Sequence, residues 1–315
     1  MAETFKWTGR QDPEDGPNAK RWHQIVTSEK SNNCIASLIG FACDLGVENN
    51  KGRIGAKAGP DAIRGALANM AWHRDAATVC DYGNIEVSTH LEEAQDDLAQ
   101  QVEQALAQTA KTIVLGGGHE TAAGSFKGLL KHLANKSDQT IGIINLDAHF
   151  DLRKPGEKGV SSGTPFYQIH QMLMERGQEM KYLCLGIAET SNTSALFERC
   201  RKWNVQYMLD YDIGIHQMEE IKLKIDSFLK DCDYLYLTID LDVLPHWQMP
   251  AVSAPASYGV ELGVLEKIID HLASLEINWP LSDIVEFNPE LDINSHGARV
   301  AARLVNKTTL AMTAK

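Results

Sequence analysis

The stretch Thr140-Ile-Gly-Ile-Ile-Asn-Leu-Asp-Ala-His-Phe-Asp151 decides how this chain is read. Its first seven residues are an apolar, isoleucine-rich run of the length expected for a strand buried on both faces. Asp147, His149 and Asp151 follow at alternate positions, and side chains at i, i+2 and i+4 of an extended segment point to one side. Three metal-competent groups therefore gather where a strand ends, which is where α/β sheets bind their ligands.

Two other segments end the same way. Thr112-Ile-Val-Leu-Gly-Gly-Gly-His-Glu120 runs from a strand into three glycines and then His119. Glycines let the backbone turn sharply and approach closely, which places His119 at the sheet edge beside Asp147. The triplet is neither a dinucleotide fingerprint nor a P-loop, since no Gly-Lys-Ser/Thr follows. Tyr234-Leu-Tyr-Leu-Thr-Ile-Asp-Leu-Asp-Val-Leu-Pro245 is another buried strand, closing on Asp240 and Asp242 at i and i+2. Like charges at one dry strand end repel and raise each other's pKa unless a cation neutralises them. His119, Asp147, His149, Asp151, Asp240 and Asp242 are too many for one tetrahedral zinc with an open position. They suit two divalent ions sharing carboxylates. Four carboxylates and two imidazoles without a thiolate favour Mn²⁺ over Zn²⁺. Such a pair, about 3.5 Å apart, can turn a bridging water into hydroxide near neutral pH, which points to metal-assisted hydrolysis.

Around these segments the chain alternates strand and helix. Strand patterns fall at 35–40, 77–80, 112–115, 141–146, 182–185, 205–208, 234–239 and 282–287. Helical patterns fall at 60–70, 91–110, 124–134, 164–176, 193–203, 215–229, 259–275 and 295–305. This alternation implies right-handed crossovers and a largely parallel sheet with helices on both faces. No linker or composition break divides residues 1–315, so one domain is expected, with 1–30 as an irregular, polar arm, mobile or folded over the site. Pro60 suits a first helical turn, and Ser295 is placed to cap the last helix.

A formal charge of -12 argues against general affinity for nucleic acid or anionic membrane. No stretch is long and apolar enough to span a bilayer, and the N-terminus lacks a signal-peptide pattern, so the cytoplasm is the expected location. The six cysteines, Cys34, Cys43, Cys80, Cys184, Cys200 and Cys232, are scattered without a C-x-x-C pair and read as reduced, buried thiols.

Gly-Gly-Gly-His119, Asp147-Ala-His149-Phe-Asp151 and Asp240-Leu-Asp242 together resemble the three metal motifs of the ureohydrolase (arginase–agmatinase) family. Arg53-Ile-Gly-Ala-Lys-Ala-Gly-Pro60 through Ile63-Arg64, and Val285-Glu-Phe-Asn-Pro289, are also similar to family segments, so the likeness runs from about residue 35 to 305. The resemblance implies a three-layer αβα fold with a mostly parallel central sheet and a cofactor of two Mn²⁺ per chain. One ion would be held by His119, Asp147, Asp151 and Asp240, the other by Asp147, His149, Asp240 and Asp242. It also implies that Glu286 faces the substrate's guanidinium or amidine, a suitable carboxylate for a planar cation. Gly118 departs from the acidic residue that many members carry before the histidine, a change expected around the ligands rather than among them.

Within the family, two features narrow the reading. Arginases place a proton-transferring histidine in the segment matching Ser161-Ser-Gly-Thr-Pro-Phe166. Here that position is Ser162, and the segment resembles the formimidoylglutamase branch, as do Val252-Ser-Ala-Pro255, Trp7-Thr-Gly-Arg10 and Arg21-Trp-His-Gln24. Arg153, two residues beyond Asp151, should lie on the ligand side of an extended segment but further out. There its guanidinium could take a substrate carboxylate bidentately. Arg10 and Arg21 are candidates for a second carboxylate. The resemblance therefore implies hydrolysis of N-formimidoyl-L-glutamate to L-glutamate and formamide, a step of histidine degradation; a homo-oligomer is a candidate assembly. In that reading Asp151 orients the hydroxide and passes its proton to the departing nitrogen. The alternatives are an agmatinase or guanidino-acid ureohydrolase releasing urea, and an inactive metal-binding regulatory subunit.

Overall fold

The computed structural model describes residues 5–74, 77–87, 89–135 and 139–314. Nine strands form one sheet: β1 (Val26–Thr27), β2 (Cys34–Phe41), β3 (Thr78–Asn84), β4 (Thr112–Gly116), β5 (Ile141–Leu146), β6 (Lys181–Ile187), β7 (Gln206–Leu209), β8 (Tyr234–Asp240) and β9 (Asn278–Val285). The helices are α1 (Leu45–Asn49), α2 (Gly59–Ala68), α3 (Leu91–Thr109), α4 (Thr121–His132), α5 (Pro165–Glu175), α6 (Ser194–Lys202), α7 (Met218–Leu229), α8 (Leu262–Ser274) and α9 (His296–Met312). Every named strand pair is parallel, in the order β1-β3-β2-β4-β9-β8-β5-β6-β7.

The strands are almost wholly buried because both faces are covered. On one face Leu235, Leu237 and Ile239 of β8 and Ile144 and Leu146 of β5 pack with α2, α7, α8 and α9. On the other, Tyr234 and Tyr236 of β8 and Ile141 and Ile143 of β5 pack with α3, α4, α5 and α6. This is a three-layer αβα arrangement, as the alternating sequence implies. Strand alternation then puts Asn145 and Asp147, and likewise Thr238 and Asp240, on the α4–α5 side.

The order of the central strands positions the site. The chain leaves β4, crosses two strand positions to β5, builds outward to β7, and returns to fill the gap with β8 and β9. The carboxyl ends of β4, β9, β8 and β5 therefore stand side by side at a topological switch point. Register finishes the alignment, pairing Leu115 with Ile284, Asp240 with Val285, and Ile239 with Leu146. Gly117, Glu286, Asp240 and Asp147 thus reach the same level from four neighbouring strands.

Several expectations are corrected. β1 and the short α1 have no strong periodic signal and escaped the sequence reading, and α9 continues to Met312 rather than stopping at 305. Ser295 does not cap α9: its φ is +54° and its side chain makes no capping bond. Asp292 does this instead, accepting from the backbone N–H of Gly297 (2.8 Å) and Ala298 (3.1 Å). The cysteines are not all reduced. Cys34 of β2 and Cys80 of β3 form a disulfide, brought to a Cα separation of 5.8 Å by strand pairing that no sequence spacing announces. Cys43, Cys184 and Cys200 are free and buried.

The arm packs on the β1 edge. Trp22 is fully buried against Trp72, and its Nε1 donates to Asn306 of α9 (2.9 Å). Trp7 Nε1 donates to Asp81 of β3 (2.8 Å). Arg10 pairs with Asp12. Arg21 donates to the same carboxylate through Nε (3.0 Å) and Nη2 (2.7 Å) and to the Asn69 carbonyl (2.6 Å). Both arginines thus hold the arm to itself and to the end of α2.

Candidate metal centre

All six metal-competent residues converge at the shared strand ends, in two groups. In the first, His119 Nδ1 lies 3.2 Å from Asp147 Oδ2, 2.9 Å from Asp151 Oδ2 and 3.1 Å from Asp240 Oδ2. In the second, His149 Nδ1 lies 2.9 Å from Asp242 Oδ2 and 3.6 Å from Asp147 Oδ1. Asp147 belongs to both groups, offering one oxygen to each. Asp240 stands in the first group only, whereas the resemblance implied it in both.

The local reasons differ from simple strand alternation. β5 ends at Leu146, and residues 147–151 form a bend, with Asp151 in the left-handed region at φ +47°. The bend is held by groups the sequence reading missed. Asn145 Nδ2 donates to Asp147 Oδ2 (2.8 Å), and the backbone N–H of His149 donates to Asp147 Oδ1 (2.6 Å). Asn192 accepts from the Phe150 N–H (3.1 Å) and donates to the Ala148 carbonyl (2.9 Å), while Tyr182 donates to the Phe150 carbonyl (3.0 Å). A buried asparagine inside an apolar strand was a readable signal for Asn145; Asn192 had none. Asp242 likewise lies beyond β8 in a 3₁₀ turn, where its N–H donates to Asp240 Oδ1 (2.8 Å). That turn sends the two aspartates to different groups.

The electrostatics of these side chains call for cations. Burial pushes Asp240 well above the usual carboxylate range, and Asp242 and Asp147 push it further. Burial raises Asp242 to about 6 despite His149 beside it. Burial alone would lower His119, but Asp147, Asp151 and Asp240 outweigh it and hold the imidazole well above its ordinary value. Burial would raise Asp147, and the two histidines reverse the sign. His119 Nε2 bonds Thr238 Oγ1 (3.0 Å), whereas Nδ1, fully buried, meets no hydrogen-bond geometry despite the three oxygens around it. With the proton on Nε2 facing Thr238, the Nδ1 lone pair points at the carboxylate cluster, which is the tautomer a metal ligand requires. The donor set therefore fits divalent ions.

Access is one-sided. The side chains of His119 and Asp147 are at most 1% exposed, while Asp151 keeps 12% and His149 22%. Glu286 lies at the end of β9 with φ +68°; its N–H donates to the Gly117 carbonyl (2.7 Å) and its Oε1 accepts from the His119 N–H (2.9 Å). Non-glycine residues in this backbone region cost of order 1–3 kcal/mol each and cluster at functional sites. Burial, with Glu120 nearby, raises Glu286 well above its ordinary pKa.

Arg153 is exposed, and among the described residues its guanidinium has no acceptor. Its backbone N–H donates to the Gly163 carbonyl (2.9 Å). The left-handed Asp151 breaks the extended segment used to place it, so Arg153 follows from this pairing instead. Ser162 is buried; its N–H donates to the Gly46 carbonyl (3.0 Å) and its Oγ accepts from Asn50 (3.3 Å).

Among proteins of known identity, the chain is 49% identical to the formimidoylglutamase of Hahella chejuensis over 96% of this chain and 94% of that one. It is 47% identical to that of Chromobacterium violaceum, covering 96% and 97%. Its structure is similar to the crystal structure of Bacillus subtilis formimidoylglutamase (TM-score 0.85, 22% identity, 97% and 94% covered). It is also similar to a variant of Trypanosoma cruzi formiminoglutamase with Mn²⁺ (TM-score 0.82, 26% identity, 94% and 99% covered). The Arginase family profile matches residues 35–311, which contain every strand end that carries the site, and the chain accordingly belongs to the arginase family.

Proposed function

We propose that the protein hydrolyses N-formimidoyl-L-glutamate to L-glutamate and formamide, a step in the degradation of histidine, using two Mn²⁺ ions. The observation that carries this reading is the pair of groups joined at Asp147 beside Glu286, in a chain nearly half identical to formimidoylglutamases. His119, Asp147, Asp151 and Asp240 would hold one ion, and Asp147, His149 and Asp242 the other. Four carboxylates without a thiolate favour Mn²⁺, the ion bound by the Trypanosoma cruzi relative. Bound there, the pair supplies a water acidic enough to ionise near neutral pH.

The protein's own groups do the rest. Glu286 has one oxygen engaged by the His119 N–H and one left for the planar amidinium, which it would orient beside the carboxylate cluster. Asp151, partly exposed on the open side, takes the proton from the attacking water and delivers it to the nitrogen that leaves with glutamate. Water oxygen joins the formimidoyl carbon, the bond from that carbon to the glutamate nitrogen breaks, and formamide departs. Arg153 takes a substrate carboxylate, and Ser162 lines the same wall. The test is formamide release against metal added to chelator-stripped protein. Activity should be absent at first and reach its plateau at two ions per chain; full activity without added ions, or a plateau at one, contradicts the reading.

A further inference from the structure

Glu120, the residue after His119, is fully buried and has no part in the chemistry above. The molecule is shaped around it. A Cβ on Gly118 would lie 2.1 Å from Glu120 Oε2, and a Cβ on Gly46 would lie 2.5 Å from Glu120 Cδ and Oε2. Gly118 has no left-handed φ that would demand glycine, so it is the space, shared with Val47, that forbids a side chain there. Its neighbour Gly117 differs, since a Cβ there would meet the Cys43 carbonyl oxygen at 1.7 Å, and no side-chain exchange can relieve that. Two glycines on separate elements therefore clear room for one carboxylate.

That carboxylate and its backbone reach both ends of one loop. Glu120 Oε1 accepts from the Gly46 N–H (2.9 Å), and the Gly46 carbonyl accepts from the Ser162 N–H (3.0 Å). The Glu120 carbonyl accepts from Gln95 (2.9 Å), Gln95 accepts from Gln168 (2.8 Å), and the Gln168 backbone N–H donates to the Thr164 carbonyl (3.0 Å). Thr164 Oγ1 in turn accepts from the Ser161 N–H (2.9 Å). Between them Gly163 accepts from the Arg153 N–H, and its Cα position packs so closely that an added Cβ would lie 2.9 Å from Arg153 Cδ.

We propose that Glu120 is a positioning residue: it locks the 161–164 loop, and with it Arg153, at a fixed place relative to the His119 turn, and Gly118 is glycine to make room for it. This rests on the reading of Ser162 and Arg153 as the wall that takes the substrate carboxylate. The lock sets where the substrate's carboxylate end sits, so its loss shows in KM more than in metal binding.

The experiment measures kcat, KM, bound Mn²⁺ and melting temperature for Glu120→Ala, Glu120→Gln, Gly118→Ala, Gly118→Ala/Glu120→Ala and Arg153→Met. Glu120→Ala should raise KM by about tenfold or more with kcat changed less, since small misplacements of substrate-positioning groups are costly. Glu120→Gln, which keeps the acceptor for Gly46, should restore KM to within about threefold of wild type. Gly118→Ala should resemble Glu120→Ala, and the double variant should lose less than the two single losses combined, because contacting residues do not act additively. Unchanged KM in Glu120→Ala, equal damage from Gln and Ala, or additive losses in the double variant each overturn the proposal. Arg153→Met separates the two readings: if it leaves KM unchanged while Glu120→Ala raises it, the role of Arg153 fails and the lock on the loop stands.

Discussion

Glu286→Gln is the sharpest probe of substrate binding, because the structure divides the two oxygens of this side chain. Oε1 accepts from the His119 N–H at 2.9 Å, and a glutamine keeps that bond with its carbonyl oxygen. The backbone at φ +68° is unaffected by the exchange. What changes is the other position, where an amide NH₂ replaces the oxygen facing the amidinium, so donor meets donor. Hydrogen bonds to charged groups contribute about 1.5–3 kcal/mol, and each ~1.4 kcal/mol is tenfold in rate. Glu286→Gln should therefore lower kcat/KM by about 10- to 150-fold at full Mn²⁺ occupancy. The assay is steady-state formamide release, with metal content measured on the same samples. A value within about threefold of wild type, or a loss explained by missing metal, would refute the assignment of the free oxygen to the substrate.

Asp151→Asn should abolish turnover, and near-normal rates with a full metal complement would end its role as proton carrier. A pH effect should appear in metal-free protein. Burial raises Asp242 to about 6 and Glu120 to about 7, so the native state holds these protons more tightly than the unfolded chain. The stability they carry is complete below the ordinary carboxylate range and is lost as pH rises through those values. The raised His119 and His149 act in the same direction, and Asp147 opposes them. Mn²⁺ should therefore raise Tm more at pH 7.5 than at pH 5, and equal shifts by calorimetry would count against this. The Cys34–Cys80 disulfide closes a separation of 46 residues, for which chain entropy gives about 4 kcal/mol. A reductant should lower the denaturation midpoint of the wild type and leave Cys34→Ser unmoved; an unmoved wild type would contradict the estimate.

The sequence carried the sheet and the metal set well, for a common reason. Runs such as Ile141–Leu146 and Tyr234–Asp240 are buried on both faces, so their apolar composition marks strands, and polar residues at their ends mark the edge where chains turn. What it could not carry is pairing between distant strands. Nothing near Cys34 announces Cys80. Asp147, His149 and Asp151 do converge, but through a bend that turns left-handed at Asp151 rather than through an extended segment. Side-chain clamps such as Asn192 on the Phe150 N–H supply that bend from a distance. Gly118 was legible as a departure, but its reason, the carboxylate of Glu120 two residues later, required three-dimensional packing.

The products of the reaction separate formimidoylglutamate hydrolysis from urea release. Mn²⁺-loaded protein is offered N-formimidoyl-L-glutamate, agmatine and arginine separately, and formamide and urea are quantified. Formamide and L-glutamate should appear in equal amounts from the first, with no urea from the other two. Urea from agmatine or arginine, with N-formimidoyl-L-glutamate left intact, would contradict this assignment.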